Sequence, residues 1–135
     1  MPVQYKIYKT DNTVSITSSG SNTVKEEIDA LKKILADTAF RKNMHILENR
    51  LNVTEPATME AVKSFIHWIS HHEKKLNECK YARVVCTGSD LLMARMCETL
   101  AEFSPHRLHR VKLRAFTTIK SACKWLEIKN SARYL

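Results

Sequence analysis

The sequence predicts an α/β domain in which an N-terminal β-hairpin leads into alternating strands and helices, giving a mostly parallel five-stranded sheet and four helices. Three observations predict it. Short apolar runs with a period of two open the chain and recur along it, longer runs with a helical period lie between them, and no internal repeat or linker divides the chain. Strands that alternate with helices pair in parallel through crossover connections, and the helices cover the sheet.

The hairpin comes first. Val3, Tyr5 and Ile7 alternate with polar neighbours, as do Val14 and Ile16, and Asp11-Asn12 between them supplies the turn. Thr23-Val-Lys-Glu26 matches a capping box, in which the threonine oxygen and the glutamate each satisfy a free backbone N–H. Val24, Ile28, Leu31 and Leu35 then repeat at helical spacing, so the first helix starts here. Asn43 to Glu48 reads as a short buried strand. In the second helix Val62, Phe65, Ile66, Ile69 and Leu76 share a face, with Thr54 as the expected cap and Pro56 in the first turn. Ala82 to Cys86 reads as a central strand, and Thr87 to Asp90 turns into a third helix that Ser104-Pro105 stops near Phe103. His109 to Ala115 alternates again, and Thr117 or Thr118 caps a last helix through Leu126. The domain is expected to span residues 1–126, and the tail 127–135, which has no period, is expected to be partly disordered.

Composition narrows the function. Among 135 residues there are 22 Lys+Arg and 14 Asp+Glu, 44% hydrophobic residues and only two glycines, Gly20 and Gly88. Such a chain builds a packed core, and two distant glycines exclude G-x-G-x-x-G, G-x-S-x-G and Walker loops. No stretch approaches the ~18 apolar residues of a membrane span, and the N-terminus lacks an apolar signal region, so a cytoplasmic protein is expected. Cys79, Cys86, Cys97 and Cys123 form no C-x-x-C and read as reduced, buried thiols. Charge is uneven: residues 1–104 carry a balance of +1 and residues 105–135 a balance of +7.

T-V-K-E-E at the start of the first helix, Val53-Thr54 before the second, and Leu-Leu-Met-Ala-Arg-Met-Cys-Glu-Thr-Leu-Ala-Glu in the third resemble the SpoIIAA-like family of small bacterial proteins, of STAS/SEC14 type, over residues 3–126. The resemblance implies a cytoplasmic, non-enzymatic domain, often dimeric, that binds regulatory proteins, lipids or small ligands. Anti-sigma factor antagonists of this type carry a phosphorylatable serine in D-S-[ST]-G. Aligning Val53-Thr54 puts Ala57 at the aspartate, Thr58 at the serine and Glu60 at the glycine, so the phospho-switch motif is missing. Thr58 keeps a hydroxyl between Glu55 and Glu60, which would repel a phosphate; it reads as a helix-start residue.

Other constellations have plain readings. His67 and His71 are spaced i, i+4, but at 100° per residue they fall roughly 140° and 180° from Val62, on the solvent side, with no third ligand at fixed spacing. No metal and no cofactor are expected. Cys86 before a helix start could be an activated thiol, with only His45 or His109 as distant candidate bases. Gly88-Ser89-Asp90 resembles a phosphate-cradling turn, yet Asp90 occupies the position an anion would take, so a capping role is expected.

In the third helix Leu92, Met96, Leu100 and Phe103 are expected to face inward, while Met93, Cys97 and Ala101 extend the apolar arc to roughly 200° and read as an interface. Arg110, Lys112 and Arg114 form a basic strand face that suits anionic phosphates, or simply protects a sheet edge. Nucleic acid is not expected, because no aromatic residues interleave with these charges. The sequence therefore predicts a non-enzymatic binding module, a homodimer with an unknown protein partner. The alternative is a carrier of lipid or a small hydrophobic ligand that visits anionic membrane.

Overall fold

The computed structural model describes residues 3–103 and 105–135. Its strands β1 (Val3–Tyr8), β2 (Thr13–Gly20), β3 (His45–Val53), β4 (Lys80–Val84) and β5 (Lys112–Phe116) form one sheet in sequential order. β1 pairs antiparallel with β2, and all other pairs are parallel. The helices are α1 (Val24–Ala36), α2 (Met59–His71), α3 (Glu73–Leu76), α4 (Ser89–Glu102) and α5 (Ile119–Trp125).

Sequential order has a consequence. Each right-handed crossover steps the chain one strand in the same direction, so the crossover helices must lie on one face of the sheet. Leu31 and Ile34 of α1, Phe65 and Ile69 of α2, and Cys97 and Ala101 of α4 accordingly pack with Val14, Ile16, Ile46 and Tyr81. α5 follows the last strand and covers the opposite face, where Ile119, Ala122, Cys123 and Leu126 meet Leu47, Ala82 and Val84.

Local signals at two helix starts hold. Thr23 Oγ1 accepts from Glu26 N, and the Glu26 carboxylate accepts from Thr23 N. Thr118 caps α5 through a bond from Ser121 N.

Several boundaries differ from those expected. The described residues form five α-helices, because the second one breaks at His72, whose ring stacks on Trp68 at 3.9 Å. The break redirects the buried carboxylate of Glu73 onto the backbone N–H groups of His109, Arg110 and Val111. With those groups bound as an anchored loop, β5 begins only at Lys112. Arg110 therefore precedes the strand. α2 starts at Met59, capped by Thr58 rather than Thr54, and Pro56 lies in the preceding loop. β3 runs on to Val53, since Glu48 and Arg50 are neutralised inside the fold instead of ending the strand. β4 lies two residues earlier than expected, and α4 ends at Glu102; Ser104, part of the expected stop, lies outside the described residues.

α4 presents a different face to the core from the one expected. Ala94, Cys97 and Ala101 are buried, whereas Leu92 and Phe103 are 64% and 61% exposed. Small residues let α4 lie close against β5 and α2 and leave Leu92 and Phe103 outside, while Leu100, as expected, and Met93 pack half-buried against the core. The tail expected to be disordered is also docked: Ile128 and Tyr134 are buried, and Tyr134 donates to Asp11 at 2.6 Å beside Tyr8.

Candidate functional site

In parallel sheets, ligands gather at the carboxyl ends of the strands. Here β2, β3 and β4 end beneath the starts of α1 and α2, and a cleft of about 260 Å³ opens there. Asn22, Thr23 and Val24 form one wall, the segment from Glu55 to Thr58 with Ala61, Val62 and Phe65 forms another, and Glu27, Arg50 and Arg83 form the charged floor.

The floor is part of a buried ion cluster. Arg50 Nη1 lies 2.7 Å from Glu27 and 3.3 Å from Glu48, and Arg83 Nη2 lies 3.1 Å from Glu27. Arg83 Nε approaches Glu48 at 3.4 Å, an ion-pair contact without hydrogen-bond alignment. Tyr81 donates to Glu48 at 2.8 Å, and the Arg83 guanidinium lies over the Phe65 ring. Two carboxylates and two guanidiniums thus balance where isolated charges would be prohibitive.

The two carboxylates are not equivalent. Burial and the neighbouring charge of Glu48 raise the Glu27 carboxyl above its ordinary range, despite both arginines. Burial acts the same way on Glu48, but Arg83 and Arg50, helped by the Tyr81 hydroxyl, outweigh it and hold Glu48 low. Glu48 is the firm anion of the pair, and Glu27 is the one that takes a proton first. Burial pushes the Cys97 thiol, which sits 3.8 Å from Arg83 Nη1, up to about 11.

None of this cluster was singled out from the sequence. The signal was present: Ile46, Glu48 and Arg50 share the inward parity of β3, and Tyr81 and Arg83 share that of β4. Opposite charges at inward positions of adjacent strands imply a buried pair. Thr58, by contrast, was singled out and does lie at the cleft, where its Oγ1 accepts from Ala61 N at 3.1 Å.

The other candidates are dispersed. Cys97 and Ala101 are inside, so they offer no surface to the interface expected of them, and Met93 is half-buried against the core. Lys112 and Arg114 point to the exposed side of β5, an edge strand, and Arg110 donates to Asn77 from the preceding loop. His67 and His71 are exposed, and no group of three metal-ligating side chains exists among the described residues. Cys86 is exposed rather than buried, with its thiol 3.3 Å from Leu51 O. His45 is engaged elsewhere, its Nδ1 accepting from Lys80 N at the start of β4, and burial, with the Lys80 charge, lowers its pKa. Gly88, not Asp90, occupies the N-cap of α4, with no side-chain cap bond. No helix among the described residues is long and apolar enough to cross a membrane.

No family model matches the chain. No curated protein matches it either. Among solved structures it is similar to an uncharacterized protein of the DUF3478 family from Shewanella loihica PV-4, described as having a SpoIIAA-like fold. The TM-score is 0.55 at 15% identity, over 92% of this chain and 91% of the other. With a sequential five-stranded sheet, a β-hairpin start and helices on both faces, the chain has a SpoIIAA-like α/β fold.

Proposed function

We propose that this is a non-enzymatic binding module whose working site is the cleft at the carboxyl ends of β2, β3 and β4. The observation that carries this reading is the cleft floor, where three charged side chains less than one-tenth exposed meet an opening to solvent. A fold retains buried charge at a cost, and a charged floor under an apolar wall is the usual composition of a small-ligand site. The available groups support binding over catalysis. The Glu27 carboxylate is committed to Arg50 and Arg83, and the Thr23 and Thr58 hydroxyls are committed to helix starts. At about 260 Å³ the cleft lies below the ~300–1,000 Å³ of typical ligand pockets, so it suits a small molecule rather than a two-chain lipid.

Amide shift mapping with a library of small fragments tests the reading. Binding should perturb Asn22, Ala57, Thr58 and Ala61 together. Hits that concentrate on another surface, or no hits at all, overturn it.

A second reading rests on α4. Leu92 near the start of α4 and Phe103 at its C-cap are large and exposed, with half-buried Met96 one turn from Leu92, which favours a protein contact, including a second copy of the chain. Sedimentation of the wild type and of Leu92→Asp distinguishes the two: a dimer that the substitution dissociates supports this reading, and a wild-type monomer at tens of micromolar removes self-association.

A further inference from the structure

We infer that the cleft recognises a small organic carboxylate with a short apolar body, gripped by the side-on fork of Arg50. This rests on the cleft being a ligand site and names the class of ligand. The reason lies in how Arg50 spends its donors. Both of its ion-pair contacts, to Glu27 and Glu48, leave from Nη1. Nε and Nη2, which point in parallel from the other edge of the guanidinium, make no hydrogen bond among the described residues. That edge matches the two oxygens of a carboxylate. Arg50 is only 6% exposed and lines the cleft, so the fork is neither free to roam in solvent nor satisfied by the protein.

Asn22, on the cleft wall, carries an Nδ2 without a hydrogen-bond partner among the described residues. α1 and α2, each of 13 residues, both begin at the cleft, and the positive ends of their dipoles favour an anion. Against this stand Glu27 on the floor and Glu55 at the mouth. Their presence favours a single negative charge over a phosphate dianion. Within the same lining, Val24, Ala57, Ala61 and Val62 offer an apolar surface for a short hydrocarbon or a ring. Charge at one end and apolar contact at the other define a small amphiphilic monoanion.

Matched trios test the class separately from the site. Hexanoate, hexanol and hexylamine, with benzoate, benzyl alcohol and benzylamine, would be titrated against the intact chain while amide shifts are followed. The expected result is saturable binding of the two carboxylates at Asn22, Ala57, Thr58 and Ala61, at least tenfold tighter than their neutral and cationic counterparts. If the neutral or cationic members bind in the cleft as well as or better than the carboxylates, the carboxylate inference fails while the cleft remains a ligand site. If no member of either trio binds while other fragments do, the inference also fails; if nothing binds in the cleft at all, the site itself is refuted.

Two variants locate the contact. Arg50→Lys keeps the positive charge beside Glu27 and Glu48 but removes the fork, and should weaken hexanoate at least tenfold. Ala61→Leu fills the apolar side without touching the ion cluster, and should abolish binding in a protein whose amide spectrum stays folded. Unchanged carboxylate affinity in a folded Arg50→Lys protein overturns the role of the fork.

Discussion

The two faces of the sheet are built from different physics. Beneath α5, Leu47, Ala82 and Val84 meet Ile119, Ala122, Cys123 and Leu126 in a layer with no buried charge among the described residues. Beneath α1, α2 and α4, an apolar layer of comparable residues surrounds Glu27, Glu48, Arg50 and Arg83. Burial of apolar area stabilises both, but only the second layer carries the desolvation cost of four ions. The difference is what supports the proposed site, because a face built for stability alone has no need of them, and the ion-bearing face is the one that carries the cleft floored by Glu27, Arg50 and Arg83.

The largest expected effect breaks the polar face. Arg83→Met leaves Glu27 and Glu48 with one guanidinium between them, and should lower unfolding free energy by ~3–5 kcal/mol in chemical denaturation at pH 7. The comparison sharpens with a second substitution. Removing Glu48 as well, as Arg83→Met with Glu48→Leu, should recover a large part of that loss, since apolar replacement of a whole buried pair is often neutral or stabilising. No recovery would mean that this ion pair is itself a net source of stability.

On the dry face the corresponding change is Leu126→Ala. Leu126 is 4% exposed at the end of α5, and its truncation should cost ~2–4 kcal/mol through lost transfer energy and the cavity left behind. The cost should be the same at pH 7 and pH 4, because no titrating group is part of the change. A strongly pH-dependent cost would show that the two faces are coupled.

A finer prediction separates the two buried carboxylates. Glu48 has a folded pKa below its ordinary 4.5, so its contribution is fully present above that value and is lost as pH falls through the lower folded one. Glu27 has a folded pKa above 4.5, so its ionised form is a liability at neutral pH that disappears as pH falls through the raised value. At pH 7, Glu48→Gln should therefore destabilise by more than Glu27→Gln. Equal losses, or the reverse order, measured by denaturation at pH 7 would remove the assignment of Glu48 as the firm anion.

These differences also explain what the sequence disclosed. The order of strands and helices was legible because apolar periodicity and the capping signals at Thr23 and Thr118 are local properties. The polar face was not, because a charged residue in a strand ordinarily marks its end or its exposed side, and only pairing of β3 beside β4 shows Glu48 and Arg83 meeting. The face of α4 was misjudged for a related reason: large apolar side chains outweigh alanines in any count of hydrophobicity, whereas close packing against β5 and α2 selects the small ones. The tail shows the same limit, since Tyr134 finds its place only against Tyr8 and Asp11 at the other end of the chain.

The smallest expected effect falls at the mouth of the cleft. Thr58 is exposed and its one protein contact of note is the cap bond from Ala61 N at 3.1 Å. Replacing a threonine cap by alanine costs about 1 kcal/mol, so Thr58→Ala should lower the melting temperature by only ~3–5 °C. Thr58→Ser should be near neutral, because it keeps the accepting oxygen. Neither change touches the ion cluster, so the difference between Glu48→Gln and Glu27→Gln should persist in both backgrounds, as expected of sites that share no partner. A phosphate on Thr58 would gain from the start of α2 but face Glu55 and Glu60, and intact mass of protein from its native cells should show the residue unmodified. Stoichiometric phosphate there would move this threonine from helix start to switch, and with it the charge balance at the mouth of the cleft, whereas a loss of several kcal/mol in Thr58→Ala would show a structural role larger than the cap bond.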